Sequence, residues 1–368
     1  MSDVFIGLMS GTSMDGIDAA LVRFGEAKAD ILATCEHAYP PDLRSKLLAA
    51  RSDTQLRACE DVPELHRQVG ECFRDAACEL LAASGTSPAA VRAIGSHGQT
   101  LRHAPDADPP YSLQIGDADI IANATGITTV ADFRRADIEA GGQGAPLAPA
   151  FHEWLFRNPG ETRIVLNIGG IANITILHGD DGETTGFDTG PGNTLLDAWS
   201  QRHIGAHCDE NGDWAATGRV VEELLARLIA DPYFSATPPK STGFEYFNLH
   251  WLAAANVDQY DAADLQATLS QLTADSVAAS IRAEAPDASE VLVCGGGVHN
   301  VDLMKRLERA LPRIAIESTA TAGLDPDWVE AIAFAWLAMR TLGGLPGNLP
   351  AVTGAKRPAV LGTVHEPA

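Results

Sequence analysis

Two segments of the chain share one pattern of apolar and polar positions. In the first, apolar residues 4–8 and 17–24 flank a polar loop, and in the second, residues 163–166 and 171–177 flank a glycine turn. Each pattern predicts two strands joined by a turn, which is a β-hairpin. The first loop is longer than a hairpin needs and is rich in hydroxyls and glycines, which indicates that it holds a ligand.

Apolar residues at helical spacing, together with short apolar runs, predict the remaining elements. Helices are predicted over 63–84, 193–201, 220–230, 265–283, 301–310 and 327–342, and strands over 90–94 and 290–294. Each half of the chain is then a hairpin followed by strand–loop–helix units, which predicts two related α/β domains. We expect domains at 1–135 and 136–344, with the tail 345–368 packed back on the first domain and a ligand cleft between the two.

Composition narrows the classes of partner. Of the 368 residues, 45% are hydrophobic and 20% are charged, as in a folded globular protein, and the formal net charge is −23. Such an acidic surface repels nucleic acids and anionic membranes. No apolar run reaches the roughly 20 residues that span a bilayer, and the start of the chain lacks the pattern of a signal peptide. We therefore expect a cytoplasmic protein with small-molecule partners. The six cysteines form no C-x-x-C pair and are expected to be free thiols.

Three glycine-rich loops follow predicted strands, at 10–16, 167–173 and 295–300. Glycine lets the backbone approach a phosphate closely, and successive N–H groups bind anions. Any one of these loops alone is better explained as an ordinary tight turn. Three of them, two at equivalent positions of the repeated halves, predict a nucleotide site. None matches a Walker A or a dinucleotide fingerprint, so the predicted site is of another type.

Longer runs of the sequence resemble the motifs of the anhydro-N-acetylmuramic acid kinase family, in order and over essentially the whole chain. The runs are GLMSGTSMDGID at 7–18, GSHGQT at 95–100, QIGD at 114–117, ADFR at 131–134, GGQGAP at 141–146, LNIGGIANIT at 166–175 and GFDTGPGN at 186–193, with shorter matches at 240–243, 295–300 and 352–355.

The resemblance implies a fold, a reaction and partners. The fold is that of the actin, Hsp70 and sugar-kinase superfamily: two actin-like (ribonuclease H-like) α/β domains flanking an ATP and substrate cleft. The reaction takes 1,6-anhydro-N-acetylmuramic acid, ATP and water to N-acetylmuramic acid 6-phosphate and ADP, in peptidoglycan recycling. The family resemblance also implies a requirement for Mg²⁺ and a homodimer.

Asp188 is the catalytic residue that the resemblance implies. It would deprotonate a water that attacks the anomeric carbon, and the released O6 would take the γ-phosphoryl group. From spacing alone, a loop aspartate ahead of a helix is equally well explained as a turn or capping residue.

The resemblance also implies an ATP-binding set drawn from the three loops. Its members are Gly11, Thr12, Ser13, Met14, Asp15, Gly16, Ile17, Asp18, Gly169, Gly170, Asn173, Gly295, Gly296, Gly297 and Asn300. Asp15 and Asp18 fit either the water shell of Mg²⁺ or a turn. Many relatives in the superfamily carry Asp where this chain has Met9 and Asn167, so no Mg²⁺ ligand is assigned.

Three residues are expected to contact the sugar. The planar guanidinium of Arg134 suits the lactyl carboxylate of a muramic acid, and His97 lies in a matched loop after a strand. Glu330 follows the family pattern but also fits a capping box with Asp327. Two other functions stay open: a non-catalytic actin-like ATPase module, and a Ser/His/Asp hydrolase using Ser96 or Ser10, although the chain has no G-x-S-x-G elbow.

Overall fold

The computed structural model describes residues 4–52, 62–179 and 182–368. Its strands, in chain order, are β1 (Val4–Met9), β2 (Gly16–Gly25), β3 (Lys28–Ala38), β4 (Ala93–Ser96), β5 (Gln99–Ala104), β6 (Tyr111–Ile115), β7 (Thr129–Ala131), β8 (Arg163–Ile168), β9 (Ile171–Leu177), β10 (Thr185–Pro191), β11 (Glu290–Cys294), β12 (Ala315–Ser318) and β13 (Thr363–His365).

The helices follow the predicted periodicity where that was strong, and several short ones are added. They are α1 (Pro41–Ser52), α2 (Val62–Ser84), α3 (Ala118–Thr125), α4 (Arg135–Glu139), α5 (Ala148–Phe156), α6 (Thr194–Ile204), α7 (Glu222–Ile229), α8 (Pro232–Ser235), α9 (Leu249–Ala253), α10 (Ala262–Glu284), α11 (Val301–Ala310), α12 (Val329–Leu342) and α13 (Pro350–Thr353). Within the described ranges, none combines the length and apolar character needed to cross a membrane. The described cysteines form no disulfide with one another, and Cys59 lies outside the described residues.

The chain folds into two compact units. Met1–Leu155 and Trp328–Ala368 form the first, and Phe156–Asp327 forms the second. These limits differ from the predicted ranges, since α12 belongs to the first unit together with the tail. The reason is the close packing of α12 on β1 and β4, which depends on two glycines. A Cβ built on Gly7 would lie 1.8 Å from the carbonyl oxygen of Ala331, and one on Gly95 would lie 2.0 Å from that of Phe334.

Both units contain a sheet with the same strand order. The first runs β13-β7-β4-β1-β2-β3 and the second β10-β9-β8-β11-β12. In each, the hairpin strands pair antiparallel, while the first strand pairs parallel with the strand that follows a helical segment, β1 with β4 and β8 with β11. The predicted internal repeat and the α/β class are confirmed, and this order is that of a ribonuclease H-like sheet. In the tail, β13 pairs antiparallel with β7 and extends the first sheet at its edge.

Each unit has its own apolar core, built as the sequence pattern predicts. In the first, the apolar stripe of α2, which includes Leu65, Val69, Phe73 and Leu80, is buried against the sheet. In the second unit, the even-numbered residues of β8 and apolar residues of α10 are buried together in one cluster. These cores hold the strand ends, where the matched motifs lie, in fixed positions.

Candidate functional site

The loop between β1 and β2 is held from one side by two arginines of α1. Arg44 donates through Nε to the carbonyl of Met14 at 3.0 Å and through Nη2 to that of Ser13 at 3.3 Å. Arg51 donates to the carbonyl of Thr12. In a trans peptide the following N–H points opposite to the carbonyl, so the N–H groups of Ser13 and Asp15 face away from the arginines. This arrangement suits a phosphate-binding loop.

Ser10 and Gln99 fasten the base of that loop. The hydroxyl of Ser10 lies 2.7 Å from the carbonyl of Gly16 and 2.8 Å from Oε1 of Gln99, and Nε2 of Gln99 donates to the carbonyl of Gly11 at 3.2 Å. Ser10 is 1% exposed. Its hydroxyl therefore has a structural role and is not accessible as the nucleophile of a hydrolase.

The rest of the predicted nucleotide segment lies at the start of β2. Met14 is fully buried with a positive φ of 54°, and Ile17 is fully buried in the core. Asp15 is exposed and paired with Arg44, 2.6 Å away. Asp18 is half-buried in β2 opposite Met9. The side chains of Met14 and Ile17 are therefore not available to a ligand.

A cavity of about 490 Å³ in the first unit brings three of the matched motifs together. Its lining includes residues 96–98, 114–117 and 131–132, with His66 and His365 at its margin. Ser96 Oγ and His97 Nδ1 are buried and have no hydrogen-bond partner within the described residues. Buried polar atoms are normally satisfied, and both residues line the cavity.

His97, which lines the cavity, forms a pair with Arg134. Nη2 of Arg134 lies 2.9 Å from Nε2 of His97, and Nη1 donates to the carbonyl of Gly144 at 2.8 Å. A guanidinium only donates, so His97 accepts through Nε2 and is neutral. Burial and the nearby guanidinium hold the pKa of His97 well below its ordinary value. Burial lowers the pKa of Arg134 to about 10, so it stays charged at neutral pH.

Glu330 lies exposed in the first turn of α12. The capping-box alternative for Asp327 and Glu330 is wrong, since the N-cap residue of this helix is Trp328 and makes no side-chain cap. Asp327 instead accepts from His299 at 2.8 Å.

Asp188 lies in strand β10, and the prediction that it sits in a loop is wrong. It pairs with Asn173 of β9, and the register shifts between Asp188 and Gly190. Oδ2 of Asp188 accepts from the hydroxyl of Ser241 and from the N–H of Thr242, both at 2.9 Å. Within the described residues, Oδ1 has no hydrogen-bond partner. One oxygen is therefore fixed and the other is available to a substrate.

The surroundings of Asp188 give it the properties of a base. Burial raises the pKa of its carboxyl to about 6, the two donors from Thr242 and Ser241 lower it, and the charge of Glu245 raises it further. A base with a pKa near the working pH is the effective kind in proton transfer. Ser241 and Thr242 were not among the predicted site residues, although their segment, 240–243, matched a family motif.

Two glycine turns lie side by side at the strand ends of the second unit. A Cβ on Gly295, whose φ is 77°, would lie 2.9 Å from the carbonyl oxygen of Ile168, next to the turn at Gly169 and Gly170. That turn is held through its own carbonyls, which accept from the N–H groups of residues 192–194. A Cβ on Gly169 or on Gly296 would meet nothing closer than 3.8 Å. The space over both turns is thus open to a ligand.

Gly297 and Asn300, which were also predicted to bind the nucleotide, have structural partners. A Cβ on Gly297 would overlap the side chain of Ile168 at 2.3 Å. Oδ1 of Asn300 accepts from the N–H of Leu303 and caps α11. In the described part of the chain, no group of three or more His, Cys, Asp or Glu side chains is placed to hold a metal ion.

Comparison with known proteins shows which family the chain matches. A family model described as anhydro-N-acetylmuramic acid kinase matches residues 3–367. Proteins of that name include one from Coxiella burnetii strain RSA 493, 50% identical over 363 residues, with 98% of this chain and 97% of the relative covered. Another, from Xanthomonas campestris pv. campestris strain 8004, is 51% identical over 368 residues, with 99% of this chain and 97% of the relative covered.

Solved structures show more distant similarity. The activator of 2-hydroxyisocaproyl-CoA dehydratase from Clostridium difficile, with bound ADPNP, has a TM-score of 0.46 at 15% identity, covering 93% of this chain and 96% of that chain. A ROK family glucokinase from Streptomyces griseus, in complex with glucose and AMPPNP, has a TM-score of 0.40 at 16% identity, covering 90% of this chain and 99% of that chain.

Proposed function

The chain belongs to the anhydro-N-acetylmuramic acid kinase family, and we propose that Asp188 is the base that couples its two reactions. The family's activity is ATP-dependent phosphorylation of 1,6-anhydro-N-acetylmuramic acid with opening of the anhydro bridge, in cell-wall recycling. The observation that carries the role of Asp188 is its carboxylate, with Oδ2 held by two donors, Oδ1 available, and a pKa raised to about 6.

The proposed reaction begins with the activation of a water molecule. Asp188 takes a proton from water through Oδ1, and the water oxygen bonds to the anomeric carbon while the bond from that carbon to O6 breaks. O6 then bonds to the γ-phosphorus as the bond to the leaving ADP oxygen breaks. The proton held by Asp188 is released to solvent. The catalytic contribution of the protein is proton transfer and positioning.

We assign the sugar to the cavity of the first unit. Ser96 and His97 line this cavity, and their Oγ and Nδ1 atoms have no hydrogen-bond partner within the described residues; sugar hydroxyls or the acetamido group are the proposed partners. Arg134 supplies the positive charge for the lactyl carboxylate. Glu330, exposed at the start of α12, is the third proposed contact.

ATP is assigned to the open glycine turns, Gly169–Gly170 and Gly295–Gly296, and to the loop at 11–16, whose N–H groups suit phosphate oxygens. Mg²⁺ in phosphoryl-transfer sites takes one or two carboxylates, water and phosphate oxygens. Asp15, which is paired with Arg44, and half-buried Asp18 are the two carboxylates of segment 11–18, and neither is assigned as a ligand of the ion. When bound, the ion neutralises charge on the transferring phosphoryl group. A homodimer, which the family resemblance implies, and a cytoplasmic location complete the proposal.

The test is ADP release measured with and without the anhydro sugar. We expect strong dependence on the sugar, and we expect Asp188→Asn to lower kcat by about 10²–10⁴-fold while ATP binding persists. Asp213→Asn, an exposed aspartate in the same unit, is the matched control and should keep the wild-type rate. ATP turnover that ignores the sugar would favour the ATPase module, and a near-normal rate in Asp188→Asn would refute the role of Asp188.

A further inference from the structure

Asp137 is a completely buried carboxylate that joins α4 and the loop after it to the C-terminal tail. It lies in α4 and is 0% exposed. Its oxygens accept from the N–H of Gly144 at 2.7 Å, from Nδ2 of Asn348 at 2.6 Å and from Oγ1 of Thr353 at 2.7 Å. Hydrogen bonds to a buried charge contribute strongly, and losing one leaves that charge incompletely satisfied. The carboxylate therefore depends on the tail for two of its three donors.

The loop that Asp137 holds is packed too closely to admit a side chain at Gly142. A Cβ on Gly142 would lie 2.2 Å from Oδ2 of Asp137, and Gly144 has a φ of 71°. The tail adds backbone bonds to the same loop: the N–H of Gln143 donates to the carbonyl of Thr353 at 2.8 Å, and the N–H of Lys356 donates to that of Ala140 at 2.9 Å. Loop and tail are one hydrogen-bonded assembly.

Gly144 connects the hydrogen bonds of Asp137 to those of the sugar site. Its N–H donates to Asp137, while its carbonyl accepts from Nη1 of Arg134 at 2.8 Å. The other terminal nitrogen of Arg134 is bonded to His97, whose Nδ1 is one of the buried atoms at the cavity. A continuous path of hydrogen bonds runs from Thr353 through Asp137 and Gly144 to Arg134.

We propose that the C-terminal tail positions the anion-binding arginine of the sugar site, with Asp137 as the positioning residue and Thr353 and Asn348 as its donors. The inference rests on the proposed function, because it takes Arg134 as the group that binds the sugar carboxylate. It assigns a role in substrate selection to residues 348–353, which are more than 200 positions away from Arg134 in the chain.

Thr353→Val is the sharpest test, since valine keeps the shape of threonine and removes the donor from a side chain that is 1% exposed. We expect the KM for the anhydro sugar to rise roughly tenfold, as for loss of one strong hydrogen bond, while the KM for ATP stays within about twofold. Thr353→Ser, which keeps the hydroxyl, should restore the wild-type KM. Thr341→Val is the matched control, because that hydroxyl bonds Leu337 and Leu361 and has no bond to Asp137.

Several outcomes would overturn the inference. They are an unchanged sugar KM in Thr353→Val, an equal rise in both KM values, and an equal effect of Thr341→Val. If Thr353→Val does not fold, hydrogen exchange in the wild-type enzyme decides: the sugar should slow exchange over 140–146 and 348–356, and ATP alone should not. Absence of that protection overturns the proposal. Failure of the proposed function can be told apart from failure of this inference. If the proposed function fails, the wild-type enzyme releases ADP without the sugar.

Discussion

Ser241→Ala removes one of the two hydrogen bonds that hold Oδ2 of Asp188 and leaves the N–H of Thr242 in place. A hydrogen bond to an ionised group is worth roughly 1.5–3 kcal/mol. Ser241 is exposed, so the lower end applies, and about 1.4 kcal/mol corresponds to about one pKa unit. The donor favours the ionised form, and its loss raises the pKa of Asp188 from about 6 by about one unit.

The consequence is visible in the pH profile of the reaction. A general base works only when ionised, so kcat/KM rises with pH through the pKa of Asp188 and then levels off. At pH 6 the ionised fraction falls from about one half in the wild type to about one tenth in the variant. We expect about a fivefold lower rate at pH 6 and nearly the wild-type rate at pH 8.5.

The assay is ADP release at saturating ATP and low sugar concentration, measured from pH 5 to pH 9. Ser235→Ala serves as the control, since that hydroxyl donates to the carbonyl of Pro232 and does not contact Asp188. The reasoning is refuted if the midpoint of the acid limb stays in place in Ser241→Ala, or if the wild type shows no inflection near pH 6.

Three further outcomes follow from the same contacts. Gly95→Ala should lower the free energy of unfolding by about 3 kcal/mol or more, because the added Cβ would overlap the carbonyl oxygen of Phe334. Thermal unfolding measures this loss, with Gly25→Ala as the control, because a Cβ on Gly25 would have no contact under 3.8 Å. Asp188→Asn should be more stable than the wild type by about 1–3 kcal/mol at pH 8. The folded pKa of Asp188, about 6, exceeds the ordinary value of 3.8, so the native state binds more protons than the unfolded state between pH 3.8 and pH 6. The stability gained by Asp188→Asn should therefore vanish below pH 4. Equal stability of variant and wild type at pH 8 would contradict this prediction. Gly169→Ala should fold normally and raise the KM for ATP, and an unchanged KM removes this turn from the nucleotide site.

Local patterns in the sequence predicted much of the framework. The two hairpins, α2, α10 and α11 follow from alternation and helical spacing, since each such pattern reports which side of one element faces a core. Strand β10 was missed because Gly186, Gly190 and Pro191 read as loop residues, and the strand forms by pairing with β9. The extended conformation of this segment therefore depends on its pairing in the sheet and not on its own sequence.

The motifs predicted roles for Asp188, His97 and Arg134. They did not predict the groups that form hydrogen bonds with these side chains, such as Ser241 and Gly144.

The sequence by itself determined the repeated α/β design, the family and the positions of the glycine loops, because these depend on residues close together in the chain. Only the tertiary structure decided which distant groups meet. Ser241 reaches Asp188 across 53 positions, and Thr353 reaches Asp137 across 216. Hydrogen bonds of this kind depend on how sheets and helices pack, and no local periodicity records them. The same packing decides that Gly7 and Gly95 must be glycines, since α12 lies directly against their backbone.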